Sequence, residues 1–167
     1  MAISPLDTRY LEDIKPLISI CDEFAYYRNR VYIEIEYLKN MVNNDLKDQI
    51  TYDALAEFTI QDYNNIIARE RIIRHDVKAI EYFIKDLPQI QATGKAHLVH
   101  IGLTSQDVCS FGFIKCIDDS IQIILEKASK LISGFKSNLV EHPDSGIYML
   151  GLTHGQPATP TSFQKEM

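Results

Sequence analysis

Residues 105–139 read SQDVCSFGFIKCIDDSIQIILEKASKLISGFKSNL. Within them Val108, Phe111, Ile114, Ile117, Ile121, Ile124, Ala128, Leu131, Phe135 and Leu139 recur in steps of three and four, and no proline interrupts the run. Apolar residues at that spacing share one face of an α-helix. The stretch therefore predicts a single helix of about 50 Å at a rise of 1.5 Å per residue. Thr104, with Asp107 three residues later, has the spacing of a capping box at its start, and Ser105 is the alternative cap. A helix of this length exceeds what one small core needs, so its stripe expects partner helices, of which the chain supplies few.

The same period governs the residues upstream. Ile20, Phe24, Tyr27, Val31, Ile35, Leu38 and Val42 predict an amphipathic helix of about seven turns ending at Asn43-Asn44-Asp45. A shorter helix is expected from Tyr52 to Phe58, and a further one from about Asp62 to Lys85 with Ile66, Ile73, Val77, Ile80 and Ile84 on its stripe, closed by Pro88. His75 falls well away from that stripe, with Arg71, Arg74 and Lys78 within a turn of it. The pattern fits either a surface histidine or a cationic corner able to take a polyanion. The fold class read from these periods is all-α, with an N-terminal helical domain over 1–103 and the start of a long-helix central bundle over 104–167.

Near the other end stands Gly151-Leu152-Thr153-His154-Gly155-Gln156-Pro157-Ala158-Thr159-Pro160-Thr161. Pro157 and Pro160 remove backbone donors and Gly155 loosens φ, which predicts a loop, neither helix nor strand, holding His154 out to a ligand. Thr159 can cap a further helix with Pro160 at its first position, continuing through Ser162-Phe163-Gln164-Lys165-Glu166. So short a helix gains little by itself, and the expectation is a fragment cut just as a longer helix begins.

Composition bounds the function. The chain has 167 residues, 46% hydrophobic and 24% charged, enough for one real core and unlike a disordered chain. Its net charge of −6, with Lys and Arg interleaved among Asp and Glu, argues against nucleic acid as the main partner and leaves any anionic ligand to local cations. No apolar run approaches the roughly 20 residues that span a bilayer, and Met1-Ala2-Ile3-Ser4-Pro5 is no signal peptide, so a cytoplasmic protein is expected. Cys21, Cys109 and Cys116 have no metal-ligand spacing, and on one helix Cys109 and Cys116 stand about 10 Å apart, too far for a disulfide. His97 and His100 lack a third ligand at metal spacing; neither metal nor cofactor is expected.

Four segments resemble, in order, the adenylosuccinate lyase family of the fumarase/aspartase superfamily. They are Ser4-Pro5-Leu6-Asp7-Thr8-Arg9-Tyr10, Arg74-His75-Asp76-Val77-Lys78-Ala79-Ile80-Glu81-Tyr82-Phe83, His100-Ile101-Gly102-Leu103-Thr104-Ser105-Gln106-Asp107, and the segment around His154. The resemblance implies β-elimination of fumarate from adenylosuccinate to give AMP, and from the succinylated aminoimidazole carboxamide ribotide of purine synthesis. It implies His154 as the general acid on the departing nitrogen, a task suited to an imidazole. Arg9, Tyr10, Arg74, His75 and Asp76 would bind the nucleotide end, Thr104 and Ser105 a substrate carboxylate, and His100 and Gln156 would support them. Family members are homotetramers whose sites combine segments of three subunits around a bundle of long helices, so a homo-oligomer with a small purine nucleotide as ligand is expected.

Two departures from the family stand out. Leu152 occupies a position where the family usually has Arg, and the family's catalytic base, a serine on a mobile downstream loop, has no counterpart among these residues. The chain alone is therefore expected to bind without turning over. A reading from another class is a catalytically inactive helical assembly fragment of the same superfamily. An argininosuccinate lyase is disfavoured by Arg74-His75-Asp76-Val77 and Gln156-Pro157-Ala158.

Overall fold

The computed structural model describes residues 4, 6, 8–42, 49–141, 148–162 and 165. At its centre is α2 (Glu23–Met41), preceded by α1 (Leu11–Cys21). The helix of about seven turns expected here is thus two helices. Asp22 separates them: its backbone is extended and its side chain accepts the Ala25 N–H at 2.7 Å. A short acidic side chain satisfies an orphan donor better as a cap than inside a helix, and the apolar period of Ile20 and Phe24 runs across the break without betraying it. At the other end the Val42 N–H closes on the Leu38 carbonyl at 3.2 Å. The expected stop at Asn43-Asn44-Asp45 lies outside the described residues.

After α3 (Ala54–Glu57), capped by Asp53 and falling inside the short helix expected there, come α4 (Ile60–Ile73) and α5 (Asp76–Asp86). The sequence predicts one helix across this span; the structure has a corner. Arg74, at φ 56 and ψ 37, is left-handed and ends α4, and His75, at φ −152, is the N-cap of α5. A non-glycine residue in that region costs roughly 1–2 kcal/mol, so the corner persists only because packing on both sides holds it. The apolar stripe hid it, since Ile66 before the corner and Val77, Ile80 and Ile84 after it are all buried. Pro88 closes that stripe as expected and also opens α6 (Pro88–Ala92) at its first position. A 3-10 turn, Ala96–Leu98, follows.

α2 packs against α3, α4 and α5, and α4 against α5. Together they bury Tyr27, Val31, Ile35, Leu38, Ile66, Ile80, Ile84, Ile90 and Val99 in one cluster. Each fully buried branched side chain contributes about 1.5–3 kcal/mol.

The long helix, α7, spans Ser105–Glu141. Val108, Gly112 and Cys116, one turn apart in its first turns, are all buried, and Asn29 of α2 donates to Cys116 Sγ at 3.3 Å. A Cβ on Gly112 would lie 3.0 Å from Arg30 Cγ and 3.3 Å from the Tyr26 ring, so any larger residue there would make these side chains give way. The stripe read from the sequence faces elsewhere: Phe111, Ile114, Ile117, Ile121, Ile124, Leu131 and Phe135 are 40–60% exposed. Among the described residues no helix is long and apolar enough to cross a membrane.

The chain divides into two compact units, at Ile121/Gln122 inside α7. The second carries an antiparallel pair, β1 (Tyr148–Thr153) and β2 (Gln156–Ser162). This corrects the expected loop over Gly151–Thr161 and the expected helix start at Thr159-Pro160. Prolines exclude a segment only from the interior of a sheet, and in a two-stranded sheet both strands are edges. Leu150 pairs with Pro160 and Leu152 with Pro157, with a register irregularity between them at Gly151. There an added Cβ would stand 3.0 Å from the Thr159 carbonyl oxygen.

Candidate functional site

The corner between α4 and α5 is held from below by α2. Arg30 is 1% exposed, its guanidinium lying 4.2 Å from the Tyr26 ring centre and 4.1 Å from that of Tyr27. Its Nη1 donates to Asp76 Oδ2 at 2.5 Å, fixing the first residue of α5. Burial would push the Asp76 carboxyl up, but the Val77 amide and the Arg30 guanidinium together draw it below the usual carboxylate range. Burial and a hydrogen bond with Cys109 push the Tyr26 hydroxyl up to about 12, so that side chain stays neutral beside Arg30. Phe113 of α7 stacks on the same ring at 4.5 Å between centroids.

On this base stands His75. Its Nδ1 accepts the Lys78 amide N–H at 3.2 Å, the N-cap bond of α5. Its Nε2 points to Ser105 Oγ at 3.5 Å. Ser105 is the first residue of α7, and the capping box expected from Thr104 and Asp107 is in place. Asp107 Oδ2 accepts the Thr104 N–H at 2.7 Å and the Thr104 hydroxyl at 2.8 Å, while the Asp107 N–H reaches Thr104 Oγ1 at 3.3 Å. Two helix N-termini, of α5 and α7, thus meet at a histidine and a serine, and both ends carry partial positive charge. Arg74 is exposed beside His75 and takes part in no ion pair among the described residues, nor does Arg71. Lys78 is engaged by Glu81 at 2.7 Å.

A second buried contact holds the turn that leads into α7. His100 has a left-handed backbone, φ 69, and its Nδ1 hydrogen-bonds Glu34, which is fully buried one helical turn beyond Arg30. Burial raises the Glu34 carboxyl above the usual range, and the contact with His100 pulls against that. Of the expected site residues, His75, Asp76, Thr104 and Ser105 are brought together, and His100 supports the approach to Thr104. Arg9 and Tyr10 sit in an exposed turn before α1, the guanidinium 5.5 Å from the ring centre; among the described residues no hydrogen bond or ion pair joins them to His75.

His154 belongs to the second unit and occupies the hairpin turn. It has φ 50 and Gly155 has φ 75, the paired positive values of a type I′ turn, and Thr153 faces Gln156 across it. His154, Gln156 and Leu152 are exposed. Among the described residues no group of three or more His, Cys, Asp or Glu could hold a metal ion, and Cys21, Cys109 and Cys116 are free thiols.

Arg30 and Glu34 escaped the sequence reading. Opposite charges four apart on a helix read as a solvated surface pair. Here each instead holds a different loop, one through Asp76 and one through His100. The available signal was their place among Tyr27, Val31, Ile35 and Leu38, all buried, which leaves a helix in this core little room for a charged face.

A protein-family model described as Lyase matches residues 29–167. Among curated relatives, the adenylosuccinate lyase of Escherichia coli (strain K12) is 34% identical over 183 residues, covering 99% of this chain and 39% of its own length. That of Dictyostelium discoideum is 33% identical over 186 residues, and that of Legionella pneumophila (strain Corby) 30% over 178, with the same coverage of both chains, 99% and 39%. The chain thus spans about two fifths of the length of the curated relatives it matches, 39% in each case.

Proposed function

Because the chain belongs to the lyase family, we propose that it supplies the nucleotide-binding part of an adenylosuccinate-type lyase site. In that reaction a base removes a proton from the carbon beside a succinyl carboxylate. The electron pair forms the fumarate double bond as the C–N bond breaks, and His154 gives the leaving nitrogen its proton. The observation that carries the reading is the meeting of His75 and Ser105, thirty residues apart in sequence, at two helix N-termini 3.5 Å from atom to atom. Such a place favours an anionic oxygen, and Arg74 next to it adds a cation that takes part in no ion pair among the described residues. Thr104 and Ser105 take a substrate carboxylate; Arg9, Tyr10, Arg74, His75 and Asp76 serve the nucleotide end.

The exposed apolar stripe of α7 supports a homo-oligomer, a tetramer in the family reading, in which copies cover one another's long helices. Sites assembled from several subunits allow His154 to act beside the His75 of another copy. The domain boundary between 103 and 104 belongs to the same proposal, as does a cytoplasmic location. The family's serine base has no counterpart among these 167 residues, and on that ground the proposal has them bind the nucleotide without eliminating fumarate by themselves.

Calorimetric titration with AMP and adenylosuccinate tests this. Heat that is lost in Ser105→Ala and Arg74→Ala is expected; no heat with either nucleotide would leave only the assembly reading. Fumarate release, followed by ultraviolet absorbance, is expected to be absent.

A further inference from the structure

Two groups compete for the Nδ1 edge of His75, and they make opposite demands on it. The Lys78 amide donates to Nδ1 at 3.2 Å, which needs a bare lone pair there. The Asp76 carboxylate lies 3.8 Å from the same nitrogen through Oδ1, and an uncompensated carboxylate at that distance favours a proton on it. Arg30 settles the contest. It holds Asp76 Oδ2 at 2.5 Å, and it has little freedom to let go, with Tyr26 and Tyr27 rings about it and Gly112 of α7 closing over its stem.

We infer that Arg30 is a positioning residue: by occupying the Asp76 carboxylate it keeps Nδ1 of His75 bare and its proton on Nε2, so that Nε2–H and the Ser105 hydroxyl are presented together to one anionic oxygen. The 3.5 Å between them is too long for a strong mutual bond and leaves both donors disposed toward a third partner. The identity of that partner, a phosphate or a carboxylate oxygen of the nucleotide substrate, rests on the lyase reading; the tautomer does not.

Long-range proton–nitrogen NMR of the histidine rings in the full chain, at a pH where the rings are neutral, reads the tautomer without any ligand. The unaltered chain is expected to carry the His75 proton on Nε2. In Arg30→Gln the ratio of Nε2–H to Nδ1–H should fall by roughly tenfold, the size of one near-surface charge contact. The double variant Arg30→Gln with Asp76→Asn removes the competing carboxylate and should restore it.

A proton on Nδ1 in the unaltered chain overturns the inference even if the single variant does not fold. So does an unchanged ratio in Arg30→Gln, or a double variant that folds without restoring it. A purely structural Arg30 would lower stability in both variants alike and leave the ratio alone. Adding AMP, then fumarate, to the unaltered chain separates the two oxygen sources: the first offers only phosphate, the second only carboxylate. If neither moves the His75 signals, the lyase reading fails and the tautomer assignment stands.

Discussion

The corner at Arg74-His75 and the turn at His154-Gly155 make an instructive pair. Each sets a histidine next to or within left-handed backbone, φ 56 at Arg74 in one case and φ 50 at His154 in the other. The turn is built locally: a glycine at φ 75, flanking strands and little burial. The corner is built from a distance, by a buried arginine on α2 and by α7 packed over it. A histidine held by its neighbours in sequence is free to move as they move. One held by tertiary contacts is pre-oriented, and that order is bought with core stability.

The largest effect should come from breaking the corner. Asp76→Ala strands Arg30, 1% exposed, without its carboxylate, and a buried charge left alone costs about 3 kcal/mol. Urea unfolding followed at the aromatic core should show the loss, while amide exchange in β1 and β2 stays as it was. Gly155→Ala is the converse cut. Placing a Cβ at φ 75 costs about 1 kcal/mol, confined to faster exchange across the Thr153–Gln156 pair, with no change in the unfolding midpoint of the first unit.

Arg74→Gly sharpens the contrast. Relief at φ 56 outweighs the added backbone entropy by about 0.5 kcal/mol, so the corner keeps or gains stability while nucleotide heat falls. Arg74 is then a residue kept for its charge against its conformation.

The smallest effect is a slope with pH. Burial raises Glu34, so between the ordinary carboxylate range and its raised value the folded state holds a proton the unfolded chain has lost, and stability declines as pH rises through that window. Asp76, drawn down despite its burial by the Val77 amide and Arg30, has the opposite sign: its contribution is present above the ordinary range and is lost as pH falls through its lowered value. Glu34→Gln should remove the first decline and leave the second, as read from urea midpoints across a pH series.

Much of this was legible in residue spacing. The stripe from Val108 onward gave one long helix because a period of three and four over that length fits nothing else. The same period concealed the breaks at Asp22 and Arg74, since a capped corner can keep its apolar residues in phase on either side. Pro157 and Pro160 conceal the hairpin, because the rule that proline breaks a strand holds inside sheets and lapses at edges. His75, Thr104 and Ser105 were legible as motifs. Arg30 and Glu34 were not, because whether a charged pair faces water or two different loops is decided by what packs above it.

The central claim is that His75 and Ser105 form one anion-binding place. AMP titration of the isotope-labelled chain reads both residues at once. Signals of the His75 ring and the Ser105 amide that shift together along a single saturating curve are the predicted result; shifts confined to exposed lysines, with both residues unmoved, would contradict it.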